Sequence, residues 1–335
     1  NDENNNFKPL PFDFTRASTA TYVDSDGLIK TAINGEARVD YTDSTDGALL
    51  LEPARTNLFT YSELFSDSSW IKSQATATLT SEISPSGTTN NVYNYVGNSS
   101  NIYTTSQAIN IEYTISCYAK SNGQGKDTFK LRLGNDRSGV FTATSEWKKY
   151  SFTSTPTTSV FSISSNALLD ADILIWGAQL EAGSYATSYI PTSGETLGVT
   201  RVADAANQTV PNNIVSSNEG TFFIDMNSWQ SGGYGSSAVS FGLYLNGSQS
   251  NAIGFTSNQT TNNLRARIAD DTGSDYIGSN FTPSTRDKLA IKWNGTTVSF
   301  FKNGSLFYSL ANTGGKSYDT ISLPISARTG LFPIN

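Results

Sequence analysis

The sequence predicts an all-β protein with two antiparallel β-sandwich (jelly-roll) domains, preceded by a short β-hairpin N-terminal region. Charged residues make up only 15% of the 335 residues, and the polar remainder is mostly Ser, Thr, Asn and Gly. These residues suit strand surfaces and tight turns better than exposed helices. Short runs of alternating apolar residues recur between turn residues, without helical periodicity, which is typical of sandwiches.

Residues 1–56 predict a β-hairpin docking region that is too short for a core of its own. Alternating residues at 20–23 lead into the sequence DSDG at 24–27, and apolar residues resume at 28–29. An Asp-Gly pair provides the positive φ angle that a tight hairpin turn needs. We therefore expect two antiparallel strands joined by residues 24–27.

Three further segments complete the predicted domain organisation. Residues 57–200 form the first sandwich, 201–217 a polar linker, and 218–335 the second sandwich. In the last segment, Asn294-Gly295 and Asn303-Gly304 flank one alternating run. This pattern predicts a three-stranded antiparallel meander. The residues up to 335 have a strand-like pattern without a closing turn, so we expect the second sandwich to be incomplete at its C-terminus.

Composition excludes several classes of function. The net charge is −7 with no Lys/Arg cluster, which argues against binding to nucleic acid or an anionic membrane. No apolar run is long enough to insert into a bilayer. Histidine is absent, which excludes Ser-His-Asp catalysis and His-ligated zinc. The single cysteine, Cys117, lies in an apolar run and is predicted to be buried without a disulfide.

Five motifs follow one another between residues 12 and 204. They are FTRASTATYVD (14–24), ALLLEPARTNL (48–58), WGAQLEAG (176–183), TSYIPT (187–192) and TRVAD (200–204). Together they resemble a family of phage tail and virion structural proteins. The resemblance implies a virion component, assembled in the bacterial host cytoplasm with other virion proteins, and a homo-oligomer, most plausibly a trimer.

Each predicted sandwich also resembles a known binding module. The sequence resembles carbohydrate-binding jelly rolls at Asn57-Leu58, at Trp70, and at residues 113–120, 147–150 and 175–181. The sequence VSFFKNG at 298–304 is similar to concanavalin A/laminin-G-like sandwiches. These resemblances imply binding to host surface polysaccharide, as in host attachment and adhesion. A purely structural virion or capsid decoration protein is the alternative.

Three aromatic residues are candidate glycan-binding platforms. Trp70 follows Asp67-Ser68-Ser69, and Trp229 and Tyr234 flank a Gly/Ser-rich stretch. An aromatic ring in a loop can lie against the C–H groups of a sugar while amides and carboxylates bind its hydroxyls. Packing in the core is the alternative interpretation for each.

Acidic residues suggest two kinds of site. Asp270, Asp271 and Asp275 lie in an oxygen-rich loop, and Glu181 is a second candidate; calcium prefers such ligands. A solvated hairpin turn is the alternative for the loop. Calcium is the one cofactor kept open. Asp170 and Asp172 have the spacing that puts two carboxylates on one strand face, as glycoside cleavage requires. We nevertheless predict no catalytic residue and no enzyme, with a polysaccharide depolymerase as second alternative.

Overall fold

A computed structural model gives the fold. It describes residues 13–43, 45–105, 107–165, 170–209, 219–227, 241–245, 248–258, 263–269, 275–282, 284, 286–294, 296–311, 320–322 and 329–333. Every regular element in these ranges is a β-strand, which confirms the predicted all-β class. No helix that could cross a bilayer occurs in these ranges.

The strands, in chain order, are β1 (Asp13–Thr15), β2 (Ala20–Val23), β3 (Ile29–Ala32), β4 (Arg38–Asp40), β5 (Ala48–Leu51), β6 (Arg55–Asn57), β7 (Ile71–Leu79), β8 (Tyr93–Thr104), β9 (Tyr113–Ser121), β10 (Thr128–Leu133), β11 (Asp136–Arg137), β12 (Phe141–Thr142), β13 (Lys148–Ser154), β14 (Phe161–Ser165), β15 (Ala171–Ala182), β16 (Val199–Arg201), β17 (Ala205–Thr209), β18 (Gly220–Asn227), β19 (Phe241–Leu245), β20 (Ser248–Asn258), β21 (Asn263–Ala269), β22 (Asp275–Phe281), β23 (Arg286–Trp293), β24 (Thr297–Lys302), β25 (Ser305–Ala311), β26 (Thr320–Ser322) and β27 (Thr329–Pro333).

The chain forms two compact units, each assembled from separate segments. We name them by their position in the chain. The central unit comprises Ser18–Ala32 and Ala54–Arg201. The terminal unit comprises Asn1–Ala17, Ile33–Pro53 and Val202–Asn335. The N-terminal region 1–56 therefore supplies strands to both units.

The central unit is a sandwich whose two sheets share strands β7 and β8. Sheet I has the order β7-β8-β15-β9-β13, and sheet II the order β7-β8-β14-β10, with β11 and β12 also paired to β10. Residues 93–97 of β8 pair with β15, whereas residues 101–104 pair with β14. One long strand thus passes from the first sheet into the second.

Strand β8 bends between its two halves, and small side chains make the bend possible. A Cβ atom at Gly97 would lie 1.9 Å from Ser100 Oγ, so only glycine fits there. The hydroxyl of Tyr95 lies 2.7 Å from Ser100 Oγ, and the Ser100 amide donates to Ser165 Oγ at 2.8 Å. These bonds satisfy the polar groups that the bend buries.

The two sheets enclose a core rich in aromatic side chains. The ring of Tyr113 in sheet I makes an edge-to-face contact with Phe161 of sheet II at a centroid distance of 5.6 Å, and Tyr150 makes the same kind of contact with Phe129 at 5.0 Å. Cys117 is fully buried in this core, as predicted, and burial raises its pKa to about 12. The thiol therefore stays protonated and behaves as a small apolar group.

The predicted N-terminal hairpin is confirmed. Strands β2 and β3 pair in antiparallel register across residues 24–27. The Asp24 carboxylate accepts hydrogen bonds from the amides of Asp26 at 3.0 Å and Leu28 at 2.9 Å, and Gly27 has a φ of +78°. The acidic turn thus satisfies its own backbone donors, which explains its residue types without a bound metal.

The terminal unit is a second sandwich. Its sheets have the orders β1-β17-β26-β19-β20-β21-β22, β18-β23-β24-β25 and β27-β5-β4. The first two sheets contribute to one core, in which Phe255 of β20 makes an edge-to-face contact with Phe300 of β24 at a centroid distance of 5.5 Å. Trp293 is buried in this core, as its position in a strand pattern suggests.

The predicted meander is also confirmed, because β23, β24 and β25 pair consecutively and antiparallel. Asn303 and Gly304, which form the second turn, have φ angles of +51° and +82°. Gly295, in the first turn, lies outside the described residues. The carboxylate of Asp287 fastens the second turn, accepting hydrogen bonds from Asn303 Nδ2 at 2.9 Å and from the Ser284 amide at 2.7 Å.

Four buried charged side chains join distant segments of the terminal unit. Asp204 pairs with Arg16 at 2.9 Å and with Arg38, and Arg38 also pairs with Glu52 at 2.9 Å. The Glu52 amide donates to Asp204 at 2.7 Å, and Arg16 also donates to the Ile33 carbonyl at 2.7 Å. Their side chains are at most 1% exposed. Burial lowers the pKa of Arg38, but the charges of Glu52 and Asp204 outweigh burial and raise it overall.

We expect Asp204→Asn to lower the free energy of unfolding by about 3–5 kcal/mol, because it removes a negative charge that pairs with two buried guanidinium groups. Urea unfolding of the purified protein measures this loss. The matched control is Asp225→Asn, which breaks the pair of Asp225 with the 55% exposed Arg286. That change should cost less than about 1 kcal/mol. Equal losses in the two variants would contradict a special role for Asp204.

The pH dependence of Asp287 gives a second test. Burial raises the pKa of Asp287, but the hydrogen bonds from Ser284 and Asn303 outweigh burial, so its pKa lies below the ordinary value of 3.8. A carboxylate whose pKa is lower in the folded protein stabilises the fold at pH values above its unfolded-state pKa. This stabilisation is lost as the pH falls through the folded-state pKa. The free energy of unfolding at pH 7 should therefore be roughly 1–3 kcal/mol higher for wild type than for Asp287→Asn. Below pH 3.8 this difference in unfolding free energy should shrink; a constant difference from pH 7 to pH 2 would contradict the assignment.

Candidate functional site

Trp70 is a core residue, so its predicted role as a glycan platform is wrong. It is 3% exposed and packs against Phe59 and Phe65 at centroid distances of 4.8 and 5.1 Å. Its indole Nε1 donates to the Tyr61 carbonyl at 2.8 Å. The preceding Asp67 caps a turn, accepting from the Ser69 amide at 2.8 Å, and this turn directs the indole inward. Turn residues before Trp70 therefore do not indicate an exposed loop.

The other predicted site residues fall mostly where the structure is not described. Trp229, Tyr234, Asp270 and Asp271 lie outside the described residues. Asp275 begins strand β22, but its side chain is not described. Within the described ranges, no three acidic or cysteine side chains cluster as metal ligands. The glycan role of Trp229 and Tyr234 and the calcium loop stay predictions.

Glu181 is engaged by the protein itself. It is fully buried in β15, and its carboxylate accepts hydrogen bonds from the Thr187 amide at 3.0 Å and from the Thr187 hydroxyl. Both carboxylate oxygens thus have a protein donor, which is a sufficient reason for an acidic residue at this position. The side chain holds the segment around residue 187 on the outer face of sheet I.

Asp170 and Asp172 each have a polar partner beside the start of β15. Asp170 pairs with Lys126 at 2.9 Å and accepts a hydrogen bond from Asn98. Asp172 accepts from Asn122 Nδ2 at 2.9 Å. The hydrogen bond from Lys126, with that from Asn98, lowers the pKa of Asp170. A general acid for glycoside cleavage needs a raised pKa, so Asp170 is poorly suited to that role.

The outer face of sheet I is covered by other parts of the central unit. Ile29 of the hairpin packs with Leu174 and Trp176 of β15, and Tyr189 lies 4.5 Å from the Trp176 ring. Gln179 holds the covering segment in place, accepting from the Ile190 amide at 2.7 Å. This face is consequently filled and offers little room for a ligand.

Asn57 joins three of the sequence motifs through its hydrogen bonds. Its buried amide donates to the Ile190 carbonyl at 2.8 Å, and its oxygen accepts from the Leu180 amide at 3.1 Å. One side chain therefore joins β6, β15 and the covering segment. Together with Gln179 and Glu181, it gives the motifs at 48–58, 176–183 and 187–192 a structural role.

The outer face of sheet II is different, because it consists of polar side chains. In register across the strands, Tyr103 of β8 neighbours Ser162 of β14, which neighbours Arg132 of β10, which neighbours Arg137 of β11. A second row places Asn101 beside Ser164 and Ser164 beside Lys130. We call these seven residues the serine face: Asn101, Tyr103, Lys130, Arg132, Arg137, Ser162 and Ser164.

Burial divides the serine face into a floor and its flanks. Ser162 and Ser164 are 0% and 4% exposed, whereas Tyr103, Lys130 and Arg132 are partly exposed and Arg137 is exposed. Short hydroxyl side chains thus lie between longer ones. The face combines an aromatic ring, hydroxyl groups, an amide and cations, and these are the groups that bind sugar rings, hydroxyls and acidic substituents.

The sequence contained a signal for this face. In TFKLRL at 128–133 and FSISS at 161–165, apolar and polar residues alternate, and β10 alternates buried and partly exposed. Such alternation marks one strand face as outward. The sequence does not show which strands are neighbours, so the outward residues of β8, β10 and β14 could not be assembled into one surface.

No known protein family matches the sequence, and no curated protein does. Among the solved structures that the chain matches, two illustrate the level of similarity. The N-terminal CBM22-1-CBM22-2 tandem domain from Paenibacillus barcinonensis Xyn10C is 14% identical with a TM-score of 0.30, covering 83% of this chain and 98% of that chain. The tripod (BppUct-A-L) from the baseplate of bacteriophage Tuc2009 is 12% identical with a TM-score of 0.27, covering 84% of this chain and 98% of that chain. Superpositions this loose carry no argument about function.

We expect Trp70→Ala to lower the free energy of unfolding by about 3–5 kcal/mol, because it empties a ring-packed site in the core. Denaturant unfolding measures the loss. Trp70→Phe, which keeps a ring, should cost less. Binding to polysaccharide by the folded fraction should be unchanged in both variants. Loss of binding with unaltered stability would restore Trp70 as a ligand platform.

Proposed function

We propose that this chain is a non-enzymatic, glycan-binding structural component of a phage particle, as in a tail fibre or related part. The observation that carries the binding proposal is the serine face. It is the outer face of sheet II, it is polar and partly exposed, and it combines a tyrosine ring with hydroxyl, amide and cationic groups. The opposite outer face, on sheet I, is filled by apolar packing.

The arrangement suggests how a sugar chain binds. The Tyr103 ring packs against the C–H face of one sugar, while the partly exposed Asn101, Lys130 and Arg132 side chains exchange hydrogen bonds with its hydroxyls. Such sites are individually weak, on the order of millimolar to micromolar, or about 4–8 kcal/mol. A particle that presents many copies gains avidity from simultaneous contacts. A homo-oligomer, most plausibly a trimer, fits this need.

The virion part of the proposal rests on the motif resemblance of residues 12–204. Electron microscopy of particles that carry a labelled chain tests it directly, because the label fixes position and copy number together. We expect a label at the tail. If the particles carry no label, the virion role is wrong.

A purely structural virion or capsid decoration protein is the second candidate, and a specific observation favours it. The motif residues Arg16, Asp204, Gln179 and Glu181 are all buried and bonded within their own units. The family resemblance therefore follows the scaffold and not a ligand site. Under this alternative the serine face contacts another virion protein.

We expect Tyr103→Ala to weaken binding to an array of purified bacterial surface polysaccharides by about tenfold, equivalent to ~1.4 kcal/mol, because the aromatic platform is removed. The measurement is the apparent dissociation constant of the full chain on the best-bound polysaccharide. Tyr22→Ala, a change of another half-buried tyrosine in the β2–β3 hairpin, is the control and should bind as wild type.

Two outcomes would contradict the proposal. Binding to no polysaccharide, with incorporation into particles intact, would favour the purely structural role. New reducing ends on incubation with polysaccharide, abolished by Asp170→Asn or Asp172→Asn, would make the chain a depolymerase instead.

A further inference from the structure

Arg132 and Arg137 face each other across the β10–β11 hairpin in direct register. Opposing residues on neighbouring antiparallel strands have their Cβ atoms about 4.5–5.5 Å apart, and like charges at that separation destabilise the pair. Partial burial, together with the charge of Arg137, lowers the pKa of Arg132. The fold thus brings two positive side chains together at a cost.

Within the described ranges, no acidic side chain lies within ion-pairing distance of Arg132, Arg137 or Lys130. Arg132 Nε donates to the Gly134 carbonyl, a neutral acceptor. Asp136, next to Arg137, is engaged by the Ser154 hydroxyl. In contrast, the exposed Arg286 binds both oxygens of Asp225, at 2.9 and 2.8 Å.

These cations do not lack acidic partners because the chain has few acidic residues. The chain has 29 Asp and Glu against 22 Lys and Arg, a net charge of −7. Among the described residues, Lys130, Arg132 and Arg137 make no ion pair, so the serine face carries three such cations on one surface of a protein with excess acid. Lys130 lies two residues from Arg132 on the same side of β10, at a distance of about 7 Å along the strand.

We propose that the serine face binds an acidic glycan, with one carboxylate or phosphate group seated between Arg132 and Arg137. This inference rests on the proposed glycan-binding function and specifies its ligand class. Guanidinium groups present planar pairs of N–H donors that match the oxygens of such anions. An anion between the two arginines replaces their repulsion with two attractions. Tyr103, on the second strand beyond β10, lies about 10 Å across the sheet and contacts a neighbouring sugar.

The negative charge of the chain as a whole sharpens this selectivity. The net negative charge of the chain repels an acidic polymer, whereas the cations of the serine face attract it. The attraction acts over roughly 8–10 Å at moderate ionic strength and weakens as salt is added. Binding should therefore require an acidic group and should weaken as salt is added.

The test uses the full chain and three probes: polygalacturonate, its carboxyl-reduced neutral form, and poly(glycerol phosphate). We expect binding to polygalacturonate or poly(glycerol phosphate) that falls about 10- to 100-fold in Arg132→Gln and Arg137→Gln, since each loses charge-assisted hydrogen bonds. The two acidic probes distinguish carboxylate from phosphate as the preferred group. The neutral form should bind weakly and equally to wild type and to both variants.

Lys30→Gln, which removes one positive charge from the hairpin on the other sheet, is the matched control and should bind as wild type. Thermal unfolding supplies an independent readout: Arg137→Gln should be as stable as wild type or more stable, because repulsion is relieved. If Lys30→Gln and Arg137→Gln weaken binding to the acidic probes equally, the effect comes from net charge alone and the proposal is overturned.

The two proposals fail in different ways. If a neutral polysaccharide binds and Tyr103→Ala abolishes that binding, while both acidic probes bind no better and the arginine variants are unaffected, glycan binding stands and the acidic-ligand inference falls. If no polysaccharide of any charge binds, both fall.

Discussion

Buried polar side chains that each join several distant segments are the interactions on which both units depend. In the terminal unit, Asp204 binds Arg16, Arg38 and the Glu52 amide, so one carboxylate fixes three parts of the chain. In the central unit, Asn57 has the same role with amide chemistry. A buried charge or amide tolerates few partner geometries, since each unmade bond costs stability. Such ties specify one arrangement in a chain that has a single cysteine and hence no internal disulfide.

The central unit uses its two outer faces for different purposes. The face of sheet I is a second packing surface, filled by the hairpin and by the segment that Gln179 and Glu181 hold. The face of sheet II has only small hydroxyl side chains at its centre, with longer polar side chains around them. Under the proposed function, stability and recognition therefore depend on different faces: substitutions on the serine face need not disturb the core, and the motifs that resemble phage proteins need not encode a ligand.

Local sequence chemistry predicted local structure well. The DSDG turn and the Asn303-Gly304 turn were readable because positive φ angles require particular residues, and alternation identified the flanking strands. Long-range pairing was not readable. Asp67-Ser68-Ser69 indicated a loop at Trp70, but the turn directs the indole into the core. The serine face depends on which strands lie side by side, and Arg132 and Arg137 became notable only once their register was known.

The segmental make-up of the units has a consequence for synthesis on the ribosome. All residues of the central unit have been made by Arg201, before any residue of the last segment of the terminal unit, Val202–Asn335. Arg16, Arg38 and Glu52 emerge early, yet Asp204 follows Glu52 by 152 residues. At translation rates of about 5–20 residues per second, that separation is a delay of roughly 8–30 s. The nascent chain thus contains every residue of the central unit before Asp204 of the terminal unit has been made. The connectivity of the chain therefore sets an order in which the two units can assemble.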